Sequence, residues 1–129
     1  MTPRVLVVDD TFYNVKLLEA RLQIVGYEVD TAFNGEEALA KVAARAPDIV
    51  LLDVMMPGLS GYDVCRRLRQ DPATARLPVV LVTALDKPSD RQDGLDAGAN
   101  EFLTKPVDND VLLPVMERLL AELPQRAAV

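Results

Sequence analysis

Five residues of this chain could share one piece of chemistry: Asp9, Asp10, Asp53, Thr83 and Lys105. Each follows or closes an apolar run. VLVV (5–8) runs into Asp9 and Asp10, IVLL (49–52) into Asp53 and PVVLV (78–82) into Thr83, and NEFL (100–103) leads through Thr104 to Lys105 and Pro106. Two adjacent carboxylates at the end of a buried strand repel each other, and desolvation strengthens the repulsion. One Asp is enough to cap a following helix, so the pair points to a site that takes a cation. The chain has no histidine and a single cysteine, Cys65. The available ligands are therefore hard oxygens, which suit Mg²⁺, or Mn²⁺, with a phosphate completing the shell. Lys105 and the Thr83 hydroxyl can hold further oxygens of that phosphate. A carboxylate facing a metal-bound phosphoryl group is a nucleophile, and Asp53, from the middle of the chain, is the best placed of the three.

The elements that must position these residues alternate five times between strand and helix. Strands are expected at about 4–9, 27–32, 49–53, 78–83 and 100–103. Helices are expected near 14–25, 36–45, 60–70, 88–97 and 109–123. Val15, Leu18, Leu22 and Val25 form the inward stripe of the first helix, and Leu112, Val115, Met116, Leu119 and Leu123 that of the last. Pro114 falls inside the last helix, where an interior proline costs roughly 3 kcal/mol. Five β-α units predict an α/β fold, a parallel sheet with helices on both faces. Strands 1, 3 and 4 are continuously apolar and belong in the centre, whereas the alternating strand 2 and short strand 5 belong at the edges. Right-handed crossovers then give a flavodoxin-like, doubly wound five-stranded sheet of order 2-1-3-4-5 with five helices. Ligands of such sheets bind outside the carboxyl ends of the strands, where the order reverses. All five residues map to that edge.

Composition excludes several classes. The 129 residues fit one domain, expected over residues 1–123, with 124–129 as a tail or the start of a linker. The net charge of −6 argues against binding a nucleic-acid backbone or an anionic membrane. No apolar run approaches the length of a membrane span. A lone cysteine fits a reducing, cytoplasmic setting, and a strand beginning at once leads us to expect no signal peptide. Without histidine there is no Ser-His-Asp triad and no phosphohistidine of the chain's own.

VLVVDD (5–10), DIVLLDVMMPGLSGYDVC (48–65), VVLVTA (79–84) and GANEFLTKP (98–106), in this order and spacing, resemble the receiver domains of two-component response regulators. The wording is most similar to the N-terminal receiver domains of diguanylate cyclase response regulators. The resemblance implies a phosphoacceptor signalling switch that is not an enzyme beyond its own phosphorylation and dephosphorylation. It implies that Asp53 accepts a phosphoryl group from a phosphohistidine on a sensor histidine kinase or histidine phosphotransfer protein. Asp9, Asp10, Asp53 and the Met55 carbonyl would hold Mg²⁺, Thr83 would bond the attached phosphoryl group, and Lys105 would ion-pair with it ahead of a cis peptide to Pro106. It also implies that Thr83 then draws inward, that Phe102 enters the space vacated, and that a fused output domain, a separate effector or a second protomer reads the changed face of helix 4, strand 5 and helix 5. Met55 and Leu85 would flank the path of hydrolytic water.

Each residue taken singly has a plainer reading. Asp9 can cap a helix, Asp53 can open a turn, Thr83 can be structural, Lys105 can be solvated, and Phe102 and Cys65 can be core. Asp90, Arg91, Asp93 and Asp96 read as a solvated helix surface. Two other functions share the fold or the chemistry. An aspartate-nucleophile phosphohydrolase wants a second acid two residues beyond the nucleophile, and Met55 stands there. A flavin or nucleotide carrier wants a Gly-rich loop after strand 1, where the sequence reads DDTFYN (9–14).

Overall fold

The computed structural model describes residues 2–122. Strands β1 (Arg4–Val8), β2 (Glu28–Ala32), β3 (Ile49–Leu52), β4 (Val79–Thr83) and β5 (Glu101–Thr104) alternate with helices α1 (Phe12–Ile24), α2 (Gly35–Ala44), α3 (Gly61–Gln70), α4 (Pro88–Asp96) and α5 (Asn109–Ala121). The strands are parallel and run in the order β2-β1-β3-β4-β5, as the apolar runs predict. Every residue of β1, β3 and β4 is buried, whereas β2 and β5 are mixed. Strands covered on both faces must be apolar on both faces.

Alternate residues of the central strands feed two cores. Leu6, Val8, Val50, Leu52 and Leu81 pack with Ala38 and Val42 of α2 and with Val64, Cys65 and Leu68 of α3. Val5, Val7, Leu51, Val80 and Val82 pack on the other side with Val15 and Leu22 of α1 and with Leu112, Met116 and Leu119 of α5. The period of two in the strands thus hands one face to α1 and α5 and the other to α2, α3 and α4. Cys65 is packing in that second layer, fully buried.

The helix ends follow local chemistry. Asn34 caps α2 by accepting the Glu37 N–H at 2.7 Å. Ser60 and Asp63 form a reciprocal capping box on α3. α1 begins two residues earlier than its apolar stripe suggests and ends at Ile24, so Val25 is not the inward residue expected. As the C-cap it points outward, 46% exposed. Gly26, at φ +102°, turns the chain there, in a conformation that β-carbons resist. Pro114 lies within α5 without ending it. Both Pro114 and Asp110, whose carbonyl loses its helical partner, are exposed, so water can satisfy the freed group. Leu123 and the tail 124–129 lie outside the described residues.

Candidate functional site

The sheet ends on one rim and delivers the predicted residues to it. Asp9 directly follows β1, Asp53 follows β3, Thr83 closes β4 and Lys105 follows β5. The register levels them: Val8 pairs with Leu52, Leu52 with Leu81 and Thr83 with Thr104. Carboxylate oxygens of Asp9, Asp10 and Asp53 lie within 4.8 Å of one another. Asp9 and Asp53 are buried and Asp10 is exposed. Nζ of Lys105 stands 2.6 Å from Oδ2 of Asp9 and 3.6 Å from Oδ2 of Asp53. The Lys105–Pro106 peptide is cis.

Asp9 is held as well as charged. Its Oδ1 accepts the Thr11 N–H at 2.9 Å, and its Oδ2 lies 3.5 Å from Nδ2 of Asn14. The plainer reading of Asp9 is therefore half true: it shapes the turn into α1, although Thr11 is the N-cap. Asn14 is a contact not anticipated from the sequence. Its signal is its place one turn into α1, facing back toward the strand end.

Asp53 is the strained member. Burial pushes its carboxyl above the usual carboxylate range; Lys105 opposes that, the Asp9 charge adds to it, and hydrogen bonds from the Met55 N–H and the Thr83 hydroxyl pull it down. A raised value means that the ionised form is short of compensating positive charge. Three oxygen donors in one cluster, one of them open to water, fit a small hard cation that keeps part of its hydration shell. One ammonium cannot balance three carboxylates, and a divalent ion would supply the missing charge.

The remaining residues surround this centre. Thr83 is fully buried, and its Oγ1 accepts the Leu85 N–H at 3.3 Å. Met55 is 59% exposed and Leu85 is half-buried, both beside the rim. Phe102 is 3% exposed. Its ring packs so closely on α4 that a β-carbon at Gly94 would stand 2.9 Å from Cδ2 of Phe102. Phe102 is thus buried against α4. The α4 charges are mostly solvated, as expected, but Nη1 of Arg91 donates to the Phe102 carbonyl at 3.0 Å. A cleft of about 410 Å³ opens beside the rim, lined by Asp9, Asp53, Lys105, Leu18, Arg21 and Val107 among others. Among the described residues no helix is long and apolar enough to cross a membrane.

This arrangement can bind a divalent ion, hold a phosphoryl group between that ion and Lys105, and present the Asp53 oxygen to phosphorus. Known proteins resemble this chain. The family model for the response regulator receiver domain matches residues 5–117. Response regulator PleD of Caulobacter vibrioides is 54% identical over 99% of this chain, which spans 30% of PleD's length. Protein PilH of Pseudomonas aeruginosa is 40% identical over 92% of this chain and 98% of its own. Chemotaxis protein CheY4 of Vibrio cholerae superposes with a TM-score of 0.86 at 33% identity, covering 92% of this chain and 99% of that one.

Proposed function

This chain belongs to the response regulator receiver domain family, a phosphoacceptor signalling switch, and from that premise we propose that Asp53 is its phosphoacceptor. The observation that carries the reading is the convergence of the Asp9, Asp10 and Asp53 oxygens with the Lys105 ammonium on one strand edge. Asp9, Asp10, Asp53 and the Met55 carbonyl hold Mg²⁺, or Mn²⁺, which supplies the positive charge that lets the acidic rim receive a phosphate.

In the transfer, an Asp53 oxygen bonds to phosphorus while the bond from phosphorus to the donor's histidine nitrogen breaks, and the electron pair returns to that imidazole. The donor is a sensor histidine kinase or a histidine phosphotransfer protein in the cytoplasm. Lys105 turns from Asp9 to an equatorial oxygen, and the Thr83 hydroxyl donates to another. Little covalent work falls to the protein, so positioning and charge supply the rate. Phosphorylation then favours, among pre-existing states, the one with Thr83 drawn to the phosphoryl group and Phe102 inside. The face of α4, β5 and α5 reports that state to a reader. The resemblance to diguanylate cyclase response regulators supports a fused output domain as that reader. A separate effector or a second protomer would use the same face.

Incubation with a small phosphodonor and Mg²⁺, followed by intact mass, tests this. The chain is expected to gain one phosphoryl group. Donor consumption without an adduct would indicate a phosphohydrolase instead, and a coloured purified protein would indicate a flavin carrier.

Two further results are expected. Mg²⁺ added to metal-free protein raises Tm; at about a hundred times its Kd it contributes about 2.7 kcal/mol. Asp10→Asn, at an exposed position, weakens that response while leaving the metal-free Tm nearly unchanged. A Tm indifferent to millimolar Mg²⁺ would remove the ion seat. Polar substitutions at both Met55 and Leu85 change the lifetime of the aspartyl phosphate, read as the decay of the adduct by mass. An unaltered decay would detach these two residues from the water path.

A further inference from the structure

We infer that Arg21 is a positioning residue for Lys105: from α1 it holds the loop that follows β5 and so keeps the lysine ammonium at the rim, against Asp9 and within reach of Asp53. The inference rests on the reading of Lys105 given above.

Lys105 carries its charge on a flexible four-carbon stem, so its aim depends on how its backbone is held. Upstream, the sheet holds it: the Lys105 N–H donates to the Thr83 carbonyl at 2.7 Å. Downstream, the chain leaves the sheet through Pro106 and reaches α5 at Asn109. There the half-buried Arg21 takes hold of it across 86 and 88 residues of sequence. Nη2 of Arg21 donates to the Val107 carbonyl at 2.9 Å. Nη2 and Nε both donate to Oδ1 of Asn109, at 2.5 and 3.1 Å. A planar guanidinium making three donations to two groups fixes orientation as well as distance, which a single ammonium does not. Arg21 also lines the cleft shared by Asp53 and Lys105. A side chain from α1 thus reaches the loop that carries the ammonium. Displacing a reacting or charge-stabilising group by an ångström can slow a reaction by about 10²-fold.

The chain has only four lysines, Lys16, Lys41, Lys87 and Lys105, which supplies internal controls. Wild type, Arg21→Ala, Arg21→Lys and Asn109→Ala are treated, metal-free, with limiting formaldehyde and cyanoborohydride, and methylation is read lysine by lysine by peptide mass spectrometry. The phosphorylation rate with a small phosphodonor is measured beside it. Arg21→Ala and Asn109→Ala are expected to raise Lys105 labelling several-fold relative to the other three lysines. They are expected to slow phosphorylation several-fold while leaving the Mg²⁺ concentration for half-maximal rate unchanged, with Arg21→Lys in between. If Lys105 labelling keeps its ratio to the other three, or all four rise together as in general loosening, the inference is overturned. If wild type takes up no phosphoryl group, the reading of Asp53 fails first and takes the inference with it.

Discussion

Asp53→Asn is expected to abolish phosphoryl uptake and, in the absence of metal, to make the chain more stable. The first effect follows because the amide has no anionic oxygen to attack phosphorus. The second follows from the sign of the Asp53 shift. Burial raises its carboxyl pKa in the folded chain above the unfolded value, so the folded state binds this proton more tightly. At pH below the ordinary Asp range both states are protonated and the group costs nothing. As pH rises from there to the raised folded value, the unfolded chain ionises first and stability falls; above the folded value the full cost persists. Asparagine removes the cost. Metal-free Asp53→Asn should therefore melt above wild type at neutral pH, and the difference should vanish in acid below the ordinary Asp range. Added Mg²⁺ should narrow the gap, because wild type gains a ligand that the variant binds poorly. Thermal melts across pH, with and without Mg²⁺, check this. A variant less stable than wild type in metal-free neutral buffer would mean that Lys105 more than repays the burial.

Gly61→Ala carries the largest expected stability loss. A β-carbon at this position would stand 2.3 Å from the Asp53 carbonyl oxygen and 2.8 Å from Cα of Val54. Both are backbone atoms, and Gly61 donates its own N–H to the Val54 carbonyl at 2.9 Å, so neither side can yield cheaply. The cost is expected at or above the top of the roughly 1–3 kcal/mol range for overpacking. Gly26→Ala provides the comparison. Nothing lies within 4 Å of its β-carbon and only the positive φ resists it, at about 1–2 kcal/mol. The two variants should also differ in function. Strain at Gly61 passes directly into the Asp53 backbone, so Gly61→Ala that still folds should phosphorylate more slowly, whereas Gly26→Ala should not. Denaturant unfolding gives the stabilities, and intact mass over time gives the rates. Equal stability losses in the two variants would contradict the close-approach reading.

What could be read from the sequence was set by periodicity. Continuous apolar runs identify β1, β3 and β4 as strands buried on both faces, and the alternation in β2 marks an edge. Those differences, together with right-handed crossovers, imply the order of the sheet. The order then places Asp9, Asp53, Thr83 and Lys105 on one rim, because parallel strands share a carboxyl end. Contacts between distant elements were not legible. Arg21 reads as a polar residue on a helix until α5 is placed beside it. Gly61 reads as a helix start until the Asp53 backbone arrives at 2.3 Å from its missing β-carbon. Val25 continues the apolar stripe of α1, but the helix stops one residue short of it. Phe102 is apolar at a strand position and therefore core by pattern. That its ring packs against α4 depends on the missing side chain of Gly94, one helix away.

The central claim is that Asp53 takes the phosphoryl group with the help of a divalent ion seated by its neighbouring carboxylates. The most direct test is to phosphorylate the chain with a small phosphodonor, trap the acyl phosphate by borohydride reduction, and locate the modified residue by peptide mass spectrometry, with Mg²⁺ and with a chelator. The account predicts modification at Asp53 alone, and only with Mg²⁺ present. Modification at another residue, or equal modification of Asp53 in chelator, would contradict it.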